Sequence, residues 1–335
     1  MDRKIWMDIL NIVAIIGVVI LHCNSEIYQF DGDVSVGFIW QSLIVSIFYW
    51  PVNVFFLITG ANLIGYKKGW KTYTMRRLRR TVIPYVAWSI IYCLLICRDI
   101  QPKTFIENIA NGGMIVYFWY FIPLFIVYLS IPFVTSIVHN SSKKLIEAFL
   151  IISFVTLSII PTTCQLCEIA IKRDYFPMGS SFIAISLCGY YLLYIHSKYQ
   201  DITKTKLICF LVGVICVNWI SLISYAFMFG NLLLPLMSYF NPFCVLTAIA
   251  VFLFFSIIDW RYIINIVGIK EDSIALISSC TLGIYIFHPI VFLAGDHFGI
   301  DLFRNDYFGF IPTYLISLFV IWGMKKIPYI KLIVP

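Results

Sequence analysis

The chain alternates long apolar stretches with short polar ones. Runs with few charged residues lie near 5–23, 37–66, 81–97, 114–138, 145–163, 178–195, 207–228, 242–258, 274–294 and 307–324. A helix of about 20 apolar residues crosses the hydrocarbon core of a bilayer. Within lipid each backbone polar group must find its partner inside the protein, which favours helices. The pattern therefore predicts an all-α integral membrane protein with about ten transmembrane helices. The second run is long enough to tilt, and Pro51 within it predicts a kink. No local motif repeats, so an inverted-repeat transporter gains no support. Nearly the whole chain is used by the runs, which makes 1–335 a single polytopic domain with no room for a separate soluble one. The first run follows a charged N-terminus, as a signal peptide does. It carries Asn11 and His22 and lacks a small-residue cleavage site, so it reads as a retained span.

Polar residues inside these runs are the second pattern. In the first run, Asp8, Asn11 and His22 fall within about 60° of one another on a helical wheel. His22 lies about 21 Å along the axis from Asp8, too far for the carboxylate to orient the imidazole. In the ninth run Thr281, Tyr285 and His288 recur at i, i+4 and i+7, one helix face, just before Pro289. A titratable side chain at membrane depth is costly and is retained for chemistry, ion movement or a specific partner. Polar contacts between helices are the plainer alternative. A neutral imidazole at that depth suits general-base work, which makes His22 the candidate catalytic residue.

Composition narrows the class. The chain is 61% hydrophobic and 12% charged, against roughly 25% charged in a soluble domain, so a soluble protein is excluded. The net charge of +7 forms no basic-aromatic patch and does not indicate nucleic acid; its placement is informative instead. With the N-terminus in the cytoplasm, 19 of the 24 Lys and Arg fall in cytoplasmic segments and 5 on the other side. The positive-inside rule then puts both termini of an even-spanned chain in the cytoplasm, as a multi-pass protein of the cell membrane. The opposite loops collect acidic and aromatic residues, which suit either a sugar or a solvated surface. Of ten cysteines, most lie in apolar runs and act as small hydrophobes. Cys164-Gln-Leu-Cys167 is a lone CxxC that predicts no metal site and leaves a local disulfide open.

The segment YKKGWKTYTMRRLRRTVIPY, from Tyr66, carries seven basic residues. Arg77 and Arg80 at i,i+3 share a helix face and could grip a polyphosphate through forked, charge-assisted hydrogen bonds. Topogenic charge and contact with lipid headgroups explain the same residues. VYFWYFIPLFIVYLSIP, from Val116, places Trp119, Tyr120 and Tyr128 in a cleft or in an interfacial aromatic belt.

Taken together these segments resemble the membrane-bound acyltransferase 3 family, which O-acetylates cell-surface polysaccharides and related acceptors. The resemblance runs from the first span to the ninth. Asp8 and His22 match the family's opening Asp…Arg…His pattern, with Asn11 in the arginine's place. VNVFFLITGANLIGY is similar to its FF-x-x-S/T-G segment through Thr59 and Gly60, and RRLRRTVIPY puts Arg77 and Arg80 at its arginine positions. FWYFIPLFIVYLSIP keeps its spacing from Trp119 to Tyr128 and Pro132, with Tyr117 where many members have His. TLGIYIFHP matches its S/T-x-G-I-Y-x-x-H segment through Thr281, Gly283, Tyr285 and His288.

The resemblance implies an O-acetyltransferase with no permanently bound cofactor. Acetyl-CoA would be the cytoplasmic acyl donor, and a cell-surface glycan or lipid-linked saccharide the acceptor, at or near the outer face. It implies substrate and cofactor binding by Arg77, Arg80, Asp8, Asn11, Trp119, Tyr285 and His288, with the CoA headgroup near Arg77 and Arg80 and His22 as base or transient acetyl carrier. Membrane lipids are the other expected partners, nucleic acid is not, and a homo-oligomer is left open. The sequence leaves two other classes standing: a carrier or flippase for lipid-linked sugars, and a non-catalytic assembly subunit. Asn11 in place of arginine also admits an inactive member.

Overall fold

The computed structural model describes residues 4–66, 69–96, 101–169, 178–195 and 203–335; Lys67 and Lys68 of the basic segment lie outside them. Its helices in chain order are α1 Ile5–Cys23, α2 Val36–Phe48, α3 Pro51–Leu63, α4 Trp70–Ile96, α5 Pro102–Ala110, α6 Phe121–Asn140, α7 Lys143–Phe154 and α8 Ile160–Leu166. They continue as α9 Met178–Tyr190, α10 Lys204–Phe229, α11 Pro242–Ile257, α12 Trp260–Val267, α13 Glu271–Ser279, α14 Thr281–Phe298 and α15 Phe310–Lys326. No strand occurs among the described residues.

Each apolar run of the sequence is helical where it is described. Among the described residues, six helical segments are long and apolar enough to cross a membrane, or eight when two bent pairs are each taken as one span. The bent pairs are α11 with α12, at 68°, and α13 with α14, at 55°. The run at 178–195 is helical throughout, as α9 and the π-helical turn Tyr191–Ile195, and α15 has 17 residues. The second run is one span with a break: α2 stops at Phe48 and α3 restarts with Pro51 at its first turn, where a missing N–H costs nothing.

Local signals set the helix ends. Ser35 caps α2 by accepting from the Phe38 N–H at 3.1 Å, and Asn241 caps α11 by accepting from Phe243 and Cys244 at 2.7 and 3.2 Å. Gly230 closes α10 at φ 62°, a left-handed conformation that glycine adopts without a steric penalty. Cys164 and Cys167, in and just after α8, are free thiols.

The helix with the polar stripe is central. α1 packs against α2, α3, α11, α13, α14 and α15, and Leu10, Ala14, Ile15 and Val19 on it are fully buried. The tightest crossing joins α3 and α9. A methyl group on Gly60 of α3 would meet the Ser186 carbonyl oxygen of α9 at 1.7 Å, and one on Gly189 of α9 would meet the Leu57 carbonyl oxygen of α3 at 2.1 Å. Reciprocal glycines thus let the two backbones touch, the arrangement that small residues allow between helices in lipid.

This crossing yields a stability prediction. Gly60→Ala forces the α3 and α9 backbones apart and should destabilise the detergent-solubilised protein by about 1–3 kcal/mol, the usual range for overpacking. Gly213→Ala in α10, where an added methyl meets nothing within 4 Å, should leave the thermal midpoint unchanged or slightly higher. Equal midpoints for the two variants would remove the crossing from the account.

Candidate active site

The two intramembrane histidines meet. His22 sits in the last turn of α1 and His288 in the middle of α14, and His22 Nδ1 lies 2.7 Å from His288 Nε2. The rings are nearly parallel, at 15°, with centroids 4.9 Å apart. With the nitrogens so close, that spacing means the rings meet edge to edge rather than face to face. His288 is fully buried and His22 half-buried, so only His22 has a free side.

Hydrogen-bond partners fix the tautomers. His288 Nδ1 is 3.1 Å from the Ile284 carbonyl, which can only accept, so Nδ1 carries the proton. In the neutral ring His288 Nε2 is then an acceptor, and His22 Nδ1 must donate to it. His22 Nε2 is left with a lone pair and no hydrogen. This is the arrangement of a general base whose second nitrogen is held by an orienting group. Pro289 has no N–H for the Tyr285 carbonyl, which loosens α14 at the turn that carries the imidazole.

Aromatic residues wall the pair. Tyr117, in the 3₁₀ turn Val116–Tyr120, places its ring 4.4 Å from His22 and 5.6 Å from His288, centroid to centroid. Its carbonyl accepts the Tyr285 hydroxyl. Tyr92 of α4 donates to the Ile286 carbonyl at 2.8 Å and ties α14 to a second helix.

A cavity of about 420 Å³ opens among α1, α3, α4, α6 and α14, toward the end of the bundle where α1 begins. Asn11, Arg77 and Tyr285 line it together, joined by Thr59, Asn62 and Thr281. Its walls are thus mixed, with amide, hydroxyl and guanidinium groups set among Phe55, Ile58 and Leu124. Arg77 is half-buried, its guanidinium carbon 6.0 Å from the centroid of the Tyr128 ring. Tyr285 stands between the cavity and the histidines: it lines the cavity, and its ring is 6.0 Å from that of His288.

The remaining sequence candidates are placed around this core. Arg80 is exposed and borders a separate surface groove of about 750 Å³ with Lys71, Arg76 and Arg79. The i,i+3 pair is therefore divided, Arg77 toward the interior and Arg80 toward the rim. Asp8 is buried in α1 and is not part of the cavity wall. Trp119 stacks on Tyr239 at 4.9 Å, away from the cavity, while its neighbour Tyr120 lines it. Asn62 and the contact of Tyr117 with the histidines are not found by reading the sequence alone. The signal for Asn62 was present: Phe55, Thr59 and Asn62 are spaced i, i+4, i+7 on one face of α3.

On the far side, beyond the end of α1, charged groups gather. Arg304 makes a bidentate contact with Asp296, both bonds 2.6 Å, and lies 5.3 Å from the Phe292 ring, which in turn packs edge-on to His288 at 5.8 Å. The hydrogen bonds to Asp296 push the guanidinium of Arg304 further toward its charged form. Gln41 donates to Asp306 at 2.9 Å beside this pair.

No curated protein and no solved structure matches this chain. The family comparison is positive: residues 4–324 match the profile described as an acyltransferase domain, Acyl_transf_3. A match across nearly the whole chain, on a helical membrane scaffold with a hydrogen-bonded histidine pair, identifies the protein as a membrane acyltransferase belonging to the acyltransferase 3 family.

Proposed function

We propose that this acyltransferase moves an acetyl group from cytoplasmic acetyl-CoA to a hydroxyl of a cell-envelope saccharide at or near the outer face of the cell membrane. The observation that carries the reading is the order of groups across the bundle. A mixed-polarity cavity lined by Arg77 ends at Tyr285, and the histidine pair begins one ring further on. The seven basic residues around Arg77 favour the cytoplasm for that mouth. Arg77, with the Arg80 groove at the rim, supplies positive charge for the phosphates of CoA. Thr59, Asn62 and Asn11 offer partners for the amides of its pantetheine arm.

The chemistry follows from the lone pair on His22 Nε2. The base removes the proton of the acceptor hydroxyl as its oxygen attacks the thioester carbonyl. The C–S bond then breaks, and the CoA thiolate leaves with the proton carried by His22. His288 is a positioning residue: it accepts from His22 Nδ1, fixes the tautomer and shares the imidazolium charge as it forms. Asp296, Arg304 and Asp306 present both donors and acceptors at the far mouth, a set suited to sugar hydroxyls.

Three readouts check this. His22→Ala should lower transfer of labelled acetyl from acetyl-CoA to surface glycan by about 10²–10⁴-fold at normal protein abundance; wild-type transfer would remove His22 as base. His288→Leu should lower kcat with the KM for acetyl-CoA unchanged, and His288→Gln, which keeps an acceptor near the Nε2 position, should recover part of it. Loss of KM instead of kcat would make His288 a donor-binding group. Arg77→Glu should raise the KM for acetyl-CoA more than Arg80→Glu, and equal, small effects would reduce both arginines to topogenic charge.

A further inference from the structure

A second cavity, of about 430 Å³, lies on the other side of α3 from the one described above. Phe55, Ile58, Thr59 and Asn62 face the first cavity, whereas Asn53 and Leu57 face this one. No lining residue is common to the two, so the second is separate from the histidine pair. The glycine contact that joins α3 to α9 leaves α7 standing off that pair, and the gap is closed on the fourth side by α11.

The walls are almost wholly apolar, with Leu57, Leu150, Ile185, Val245 and Ala248 among them. The opening is lateral. Ile151 lines the cavity, is 64% exposed, and sits within the candidate span Lys143–Leu166, so the mouth lies at bilayer depth. Close-packed interiors do not hold voids of this size. Apolar cavities stay dry, so hydrocarbon rather than water fills one that opens into a bilayer. Two walls carry π-helical turns, Val155–Ile159 and Tyr191–Ile195, of which Leu157, Ser158, Tyr191 and Leu192 reach the cavity. Such turns interrupt a helix at a cost and concentrate at functional sites.

One end of the cavity is polar. Glu147 lines it and accepts the Tyr191 hydroxyl, and Lys143 lies 3.9 Å from Glu147 at the start of α7, next to exposed Lys144. A carboxylate beside an ammonium group, with a second lysine next in sequence at a membrane boundary, matches a headgroup that carries both an amine and a phosphate. We propose that this cavity binds one aminophospholipid, with an acyl chain between α3, α7, α9 and α11, its amine at Glu147 and its phosphate at Lys143 and Lys144. The bound lipid is neither donor nor acceptor in the transfer reaction, since α3 separates it from the histidines.

Native mass spectrometry of the full chain in detergent, supplied with phosphatidylethanolamine and phosphatidylglycerol of identical acyl chains, tests this. The wild type should retain one phosphatidylethanolamine in preference to phosphatidylglycerol. Leu246→Trp, which fills the half-buried mouth, should lower retention by about tenfold, a change of about 1.4 kcal/mol in affinity. Glu147→Gln should retain a lipid but lose the preference for the amine headgroup. Equal retention in Leu246→Trp, or no headgroup preference in the wild type, overturns the proposal. A measurement on the wild type alone guards against a folding defect. Phosphatidylethanolamine with a photoreactive group in its acyl chain should label α7, α9 and α11 at the cavity, and labelling confined to the exposed faces of α4 and α10 would contradict it.

Discussion

The 2.7 Å bond between His22 and His288 is the constraint on which the rest of the structure turns. It joins the last turn of α1 to the middle of α14 and requires both helices to hold their depth and rotation to within a fraction of an ångström. α1 is fixed by its central place among the neighbouring helices, and α14 by the Tyr92 hydroxyl, the Tyr285–Tyr117 contact and the bend that joins it to α13. In a low-dielectric interior a hydrogen bond of this kind is strong when both partners are in register and costly when they are not. The dyad therefore specifies the packing of the bundle as much as the packing positions the dyad.

From that bond the two-sided layout follows. His288 is buried and committed on both nitrogens, to Ile284 and to His22, so only the outer nitrogen of His22 is free for chemistry. On the α1-start side the Tyr285 ring separates the pair from a cavity with a guanidinium at its wall. On the other side Phe292 and the Arg304–Asp296 pair separate it from the loops. The transfer proposed above, between substrates from opposite sides, calls for such a partition.

Much of this was legible in the sequence, and the exceptions have physical reasons. Helices were readable because every apolar run must pair its own backbone in lipid. Their breaks were not: the bends between α11 and α12 and between α13 and α14 depend on tertiary packing. His22 and His288 stood out one by one, as polar groups on apolar faces, but the 266 residues between them carry no local sign that they touch. Arg77 and Arg80 read as an i,i+3 pair, yet helix geometry leaves them tens of degrees apart around the axis. That is enough to turn one into the cavity and the other to the rim. Gly60 matched a family segment, whereas its partner Gly189 gave no signal, because close approach of backbones is a property of two helices together.

Selective ¹⁵N labelling of histidine, with magnetic resonance of the protein in lipid bilayers, tests the dyad most directly. The chain has 5 histidines, and a His22→Ala sample assigns the signal of interest by difference. The account predicts that His22 is protonated at Nδ1 and bare at Nε2, with its Nδ1 proton shared with His288 Nε2. A His22 signal protonated at Nε2, with no coupling to His288, would contradict it.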